Sequence, residues 1–214
     1  MSTRIISPSL LSADFARLGD QIRLVEDAGA TRLHLDVMDG HFVPNLTFGP
    51  LIIAAVRRLT SIYLDTHLMI EKPHRYLKQF VEAGSDTVIV HAEASEDLKR
   101  DLTTIRELGA SPGVAINPDA DFDILKPYLA NFDYLLIMSV FPGFGGQVFM
   151  ESTLENMRKA VAARKDHAYL IAVDGGLNPS TIERVFATGI DIAVIGSALF
   201  DAPDIAQRFQ ELQG

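Results

Sequence analysis

The sequence predicts an α/β fold in which eight parallel strands close into one barrel with helices outside. Three observations predict it. Short apolar, β-rich runs recur along the chain, a helical pattern follows most of them, and polar residues suited to chemistry gather at the C-terminal ends of several runs rather than of one. Strand–helix alternation implies parallel strands joined by right-handed crossovers. Eight such units average roughly 27 residues each, the compact end of the (β/α)8 TIM-barrel range. An open doubly wound sheet would gather its ligand at one switch point, whereas a barrel draws on many strand ends. With no linker, low-complexity tract or composition break, residues 1–214 read as a single TIM-barrel domain.

The elements follow in order. The strand candidate Ile5–Pro8 leads to a helical pattern over 14–28, closed by Ala28-Gly29. Arg32–Met38 and a helix over 50–59 come next, then a strand over 62–68 and a helix over 75–83 ending at Ala83-Gly84. Thr87–His91 is followed by a helix over 95–108, closed by Leu108-Gly109, and by a short strand over 113–116. Tyr134–Met138 precedes a helix over 152–165; a strand over 169–173 precedes a helix over 179–187, with Thr188-Gly189 one residue later. Ile192–Ile195 is the eighth strand, and Gly196-Ser197 opens a helical turn over 198–200. Each closing glycine supplies the left-handed conformation that ends a helix before the next strand.

Composition narrows the function. The 214 residues are 48 % hydrophobic and 22 % charged, ordinary for a chain with a sizeable core, and the formal charge is −9. Without a Lys/Arg cluster, nucleic acid and anionic membrane are poor partners. A small anionic substrate stays open, because backbone N–H groups at helix starts bind phosphate without a basic side chain. The absence of cysteine, of a signal-like apolar run and of a membrane-length apolar stretch leads us to expect a cytoplasmic protein.

The most informative stretch is Arg32-Leu-His-Leu-Asp-Val-Met-Asp-Gly40. Strand side chains alternate between faces, so His34, Asp36 and Met38 share one side, and Leu33, Leu35 and Val37 face the helices. In a barrel the first set points inward at the C-terminal mouth, where active sites of this fold lie. The third strand puts His67 and Met69 on one side, and the seventh ends at Asp174. Strands two and seven are three steps apart around a closed ring, so Asp36 and Asp174 can face each other with His34 and His67 between them. Two imidazoles and two carboxylates suit Zn2+, Fe2+, Mn2+ or Co2+. The competing reading is a set of loop caps and satisfied polar groups, and the residue pattern by itself leaves both open. Asp39, in an Asp-Gly turn, reads as structural, and His91 as a hydrogen-bonded rim residue.

Three glycine-rich turns follow the last three strands: Pro142-Gly-Phe-Gly-Gly-Gln147, Asp174-Gly-Gly176 and Gly196-Ser197. Loops after strands seven and eight with a short helix start form the usual phosphate site of a barrel, and glycine allows close backbone approach. No Lys-Ser/Thr follows the glycines, so this is not a P-loop.

At these residues the chain resembles the ribulose-phosphate 3-epimerase family. The resemblance runs from Ser7-Pro-Ser9 to Gly196-Ser-Ala-Leu-Phe200; its most specific parts are His34-Leu-Asp-Val-Met-Asp-Gly-His-Phe-Val-Pro-Asn45, His67-Leu-Met69, the Pro142–Gln147 turn and Val173-Asp-Gly-Gly176. It implies one divalent metal ion per subunit, held by His34, Asp36, His67 and Asp174, with Asp36 and Asp174 as the acid/base pair. It further implies that Ser9 and His67 touch the sugar. Gly143, Phe144, Gly145, Gly146, Gly175, Gly176, Gly196 and Ser197 would hold the phosphate. Met38, Met69 and Met138 would wall the metal; ordinary gap-filling is the other reading of these methionines. Phe141 departs from the family pattern, where a polar residue such as Asn is expected.

The implied reaction interconverts D-ribulose 5-phosphate and D-xylulose 5-phosphate in the pentose phosphate pathway. One carboxylate takes the C3 proton and the other returns a proton to the opposite face, with a metal as Lewis acid toward the enediolate. A hexulose 6-phosphate such as allulose 6-phosphate is the alternative substrate. A lysine-dependent aldolase or decarboxylase is disfavoured, because Lys72 lies in a loop and no strand end carries another lysine. A homo-oligomer is expected on general grounds.

Overall fold

In the computed structural model, which describes residues 4–164 and 167–214, eight strands lie in one sheet ordered β1-β8-β7-β6-β5-β4-β3-β2. They are β1 (Ile5–Pro8), β2 (Arg32–Met38), β3 (Tyr63–Met69), β4 (Thr87–His91), β5 (Ser111–Ile116), β6 (Tyr134–Met138), β7 (Leu170–Asp174) and β8 (Ile192–Ile195). Every pairing is parallel. The one parallel bridge between Ser9 and His34 joins β1 to β2 and completes the ring at the height of the polar cluster.

Eight α-helices stand among the described residues: α1 (Leu18–Asp27), α2 (Pro50–Arg57), α3 (Leu77–Glu82), α4 (Leu98–Glu107), α5 (Leu154–Ala163), α6 (Ile182–Phe186), α7 (Ser197–Phe200) and α8 (Ile205–Gln213). The helix expected over 152–165 ends earlier, and its expected last residue lies outside the described residues. The helix expected from residue 14 is split: Asp14 caps a 3-10 turn, Phe15–Arg17, before α1 begins. Between β5 and β6, where no helical period was read, the chain forms a 3-10 segment, Phe122–Tyr128, containing Pro127. Proline lacks the N–H that an α-helix interior needs.

Strand limits differ from expectation where local chemistry misleads. β5 begins at Ser111 rather than 113, because Pro112 sits within it; the missing N–H is tolerated, and the Pro112 carbonyl accepts from Asp133 N–H at 2.9 Å. β3 and β7 each start and end one residue later than read, so both run up to their functional residues.

Alternation divides the apolar residues into two cores. Outward-facing Leu33, Leu35, Leu64, Val88, Val114, Leu135, Ile171 and Ala193 meet the helices through Ile22, Ile53, Phe80, Ile105, Met157, Val185 and Phe209. Inward-facing Ile89, Ala115, Tyr134, Leu136, Ala172, Ile192 and Val194 fill the barrel itself. A filled barrel leaves its C-terminal rim as the place where inward side chains can meet a ligand.

Candidate active site

The register of β2 and β3 sets the site. Asp36 pairs with His67 and Met38 with Met69, so alternation sends His34, Asp36 and His67 to the same interior. His34 Nε2 stands 3.4 Å from Asp36 Oδ1 and 4.0 Å from Asp174 Oδ2. His67 Nδ1 lies 3.1 Å from Asp36 Oδ1. One ligand atom from each of the four residues falls within 4.8 Å of all the others. Both histidines have no solvent exposure and form the floor; Asp36 and Asp174 reach the pocket above.

The donor set fits a divalent cation. Ligands about 2.1 Å from a tetrahedral ion stand about 3.4 Å apart, the scale of the distances found here. Neither ring nitrogen of buried His34 has a hydrogen-bond partner, and a buried imidazole without partners is costly. A cation between His34, His67 and the two carboxylates would remove that cost.

In the protein alone the four groups perturb one another. Burial works against a charged His34, but Asp36, Asp174 and Asp65 outweigh it and push it up to about 9. Burial drives His67 down to about 3, helped by His91 and His34 and opposed by Asp36. Burial also opposes ionisation of Asp36, yet chiefly the neighbouring His34 holds it far below the usual carboxylate range. Burial and the charge of Asp36 push Asp174 up to about 7, against the pull of His34. Two carboxyl groups with affinities for protons driven apart are suited to acid and base roles.

Around this floor the other expected residues line one pocket. Ser9 Oγ donates to Asp36 Oδ2 at 2.6 Å. Met38, Met69 and Met138 line it as apolar residues, and the glycines of all three turns line it with Phe144 and Ser197. Two of these glycines are required by space as well as by conformation. A Cβ on Gly175 (φ +118°) would stand 2.4 Å from Val140 Cγ2, and one on Gly176 (φ +66°) 2.3 Å from Phe149 N. Ser197 is the first residue of the short α7, and it lines the pocket beside Gly196.

Several supporting residues were not singled out in the sequence. Gln147 Nε2 donates to the carbonyls of Phe141 (2.7 Å) and Phe144 (2.8 Å), clamping the turn across its own chord. Asn45 Nδ2 donates to Gly143 O at 2.7 Å, tying the loop after β2 to the turn after β6. Ser139 Oγ donates to the carbonyls of Asp174 and Gly175 at 2.9 and 2.7 Å. Asp39 accepts from the backbone N–H groups of His41, Phe42 and Glu71, a structural part, as its turn context suggested. His91, read as a rim residue, is instead fully buried behind His67. Phe141 is half exposed at the loop edge, and its side chain is absent from the pocket lining.

The fold and this pocket define the class: a (β/α)8 barrel with a polar pocket at the C-terminal ends of its strands. Solved structures agree on the fold. A tryptophan synthase alpha-subunit from Pyrococcus furiosus superposes with a TM-score of 0.73 at 15 % identity, covering 99 % of each chain. Phosphoribosyl anthranilate isomerase from Thermus thermophilus gives 0.69 at 15 % identity, over 98 % of this chain and 96 % of that one. Sequence comparison is more specific. The profile of the ribulose-phosphate 3 epimerase family matches residues 5–200. Ribulose-phosphate 3-epimerase of Bacillus subtilis is 45 % identical over 212 residues, 98 % of both chains. That of Synechocystis sp. is 48 % identical over 208 residues, 95 % of this chain and 90 % of its own. The chain belongs to the ribulose-phosphate 3-epimerase family and is an isomerase.

Proposed function

We propose that this protein is a metal-dependent epimerase interconverting D-ribulose 5-phosphate and D-xylulose 5-phosphate by inversion at C3. The observation that carries the reading is the convergence of Asp36 from β2 and Asp174 from β7 on one pocket with the glycine turns on its rim. Inversion beside a carbonyl needs a proton removed from one face and one delivered to the other, and a single base reaches both faces poorly.

Asp36 is the base in the direction from ribulose 5-phosphate. The Ser9 hydroxyl orients one of its oxygens. Asp174, on the other side of the pocket, delivers the proton to the opposite face, and the two exchange roles in reverse. His34, Asp36, His67 and Asp174 would hold one divalent ion of the Zn2+, Fe2+, Mn2+ or Co2+ type, which supplies Lewis-acid stabilisation of enediolate charge. The turns around Gly143 to Gly146, Gly175, Gly176, Gly196 and Ser197 hold the phosphate, so binding energy far from C3 orients the reacting carbon. The methionine wall excludes water from the side opposite the phosphate.

A coupled assay of purified protein with ribulose 5-phosphate tests the reading. Turnover is expected in the wild type, and Asp36→Asn and Asp174→Asn should each lower kcat by orders of magnitude. Near-normal kcat in either variant would refute the pair, and greater turnover of allulose 6-phosphate would transfer the activity to a hexulose phosphate.

A further inference from the structure

Behind His67 runs a line of polar groups that the epimerisation scheme does not use. His67 Nε2 is 2.8 Å from His91 Nε2. His91 Nδ1 is 3.4 Å from Glu93 Oε2, and the other oxygen of Glu93 accepts from Asn117 N–H at 2.8 Å. The two imidazoles are near coplanar, at 26°, and Phe42 packs on His91 with ring centroids 4.8 Å apart. Both rings are sealed from solvent.

Hydrogen-bond logic orders this line. A carboxylate only accepts, so His91 Nδ1 carries a proton toward Glu93. A neutral His91 then has a bare Nε2, which accepts, and His67 Nε2 must be the donor. A neutral His67 is left with a lone pair on Nδ1. That lone pair points at Asp36 Oδ1, 3.1 Å away. Two acceptors facing each other at this distance repel, and a cation between them converts the repulsion into ligation. Glu93 is itself held ionised: burial would raise it, but hydrogen bonds from His91 and Asn117 N–H keep it below its ordinary range.

We propose that Glu93 and His91 are positioning residues that fix the tautomer of His67 and aim its Nδ1 lone pair at the cation site. The inference rests on the proposed metal-dependent function and extends it to two residues that touch neither substrate nor metal. Outer partners of this kind orient a ligating histidine and raise its basicity.

The test is a titration of chelator-stripped protein with Zn2+ against a competing chelator, read as affinity and not as activity. His91→Leu and Glu93→Ala should each weaken Zn2+ binding about 10- to 100-fold. His91→Gln, whose amide can both accept from His67 and donate to Glu93, should recover most of the loss. Glu93 lies at the edge of the network, so Glu93→Ala keeps the test decisive if His91→Leu fails to fold. Unchanged Zn2+ affinity in folded His91→Leu or Glu93→Ala overturns the relay and leaves the metal centre standing. Wild-type protein that binds no Zn2+ overturns the metal reading, and the relay with it.

Discussion

Ser9 Oγ and Asp36 Oδ2 lie 2.6 Å apart, and the hydrogen bond between them links the end of β1 to Asp36 on β2 across the closure of the barrel. The hydroxyl donates to a carboxylate that His34 already holds ionised, which makes the bond charge-assisted. Removing a hydrogen bond to a charged group costs about 1.5–3 kcal/mol, so Ser9→Ala should lower kcat about 10- to 100-fold. Steady-state kinetics checks this, with the thermal melt as control for folding.

The glycine turns proposed to hold phosphate separate two penalties that glycine avoids. Gly146 has φ +73° with open space around its Cβ position, whereas Gly176 has φ +66° and a Cβ site against the Phe149 backbone. Gly146→Ala should cost only left-handed strain, about 1–2 kcal/mol. Gly176→Ala must also displace backbone, so it should raise KM for the sugar phosphate far more than Gly146→Ala does. Equal KM values in the two variants would remove Gly176 from the phosphate site.

Metal binding should appear as stability. A ligand that binds only the folded state stabilises it by about 4 kcal/mol at a thousandfold excess over its Kd. Adding Zn2+ to chelator-stripped protein should therefore raise Tm. In His34→Leu, which removes the imidazole whose two nitrogens lack partners, that rise should vanish.

Asp39 supplies a pH signature away from the His34, Asp36, His67 and Asp174 cluster. Burial would raise it, but the N–H groups of Glu71, His41 and Phe42 keep its folded proton affinity below the unfolded value. A depressed group contributes stability above the unfolded pKa and loses it as pH falls through the folded one. Wild type should melt above Asp39→Asn at neutral pH, and the gap should narrow as pH falls below about 4. Scanning calorimetry of both proteins over that range checks the sign.

The barrel and the four-residue cluster were legible in the sequence because strand alternation marks both. His34, Asp36 and Met38 sit two apart on one strand, and a parallel register carries the same spacing to His67 and Met69. The role of His91 was not legible, because its partner is 24 residues away on the neighbouring strand and only side-chain packing shows which nitrogens meet. The segment Phe122–Tyr128 escaped because a 3-10 helix with an internal proline has no 3.6-residue period to read. The clamps from Gln147 and Asn45 lay inside quoted motifs, but their targets are backbone carbonyls, which leave no mark on a sequence.

The proposed reaction is proton exchange at one carbon through two carboxyl groups on opposite faces. Its most direct test is to run the enzyme on ribulose 5-phosphate in D2O and examine C3 of the xylulose 5-phosphate by NMR. Deuterium at C3 in product from the first turnovers is the result expected. Product that keeps the substrate's original C3 proton would contradict the two-carboxylate mechanism.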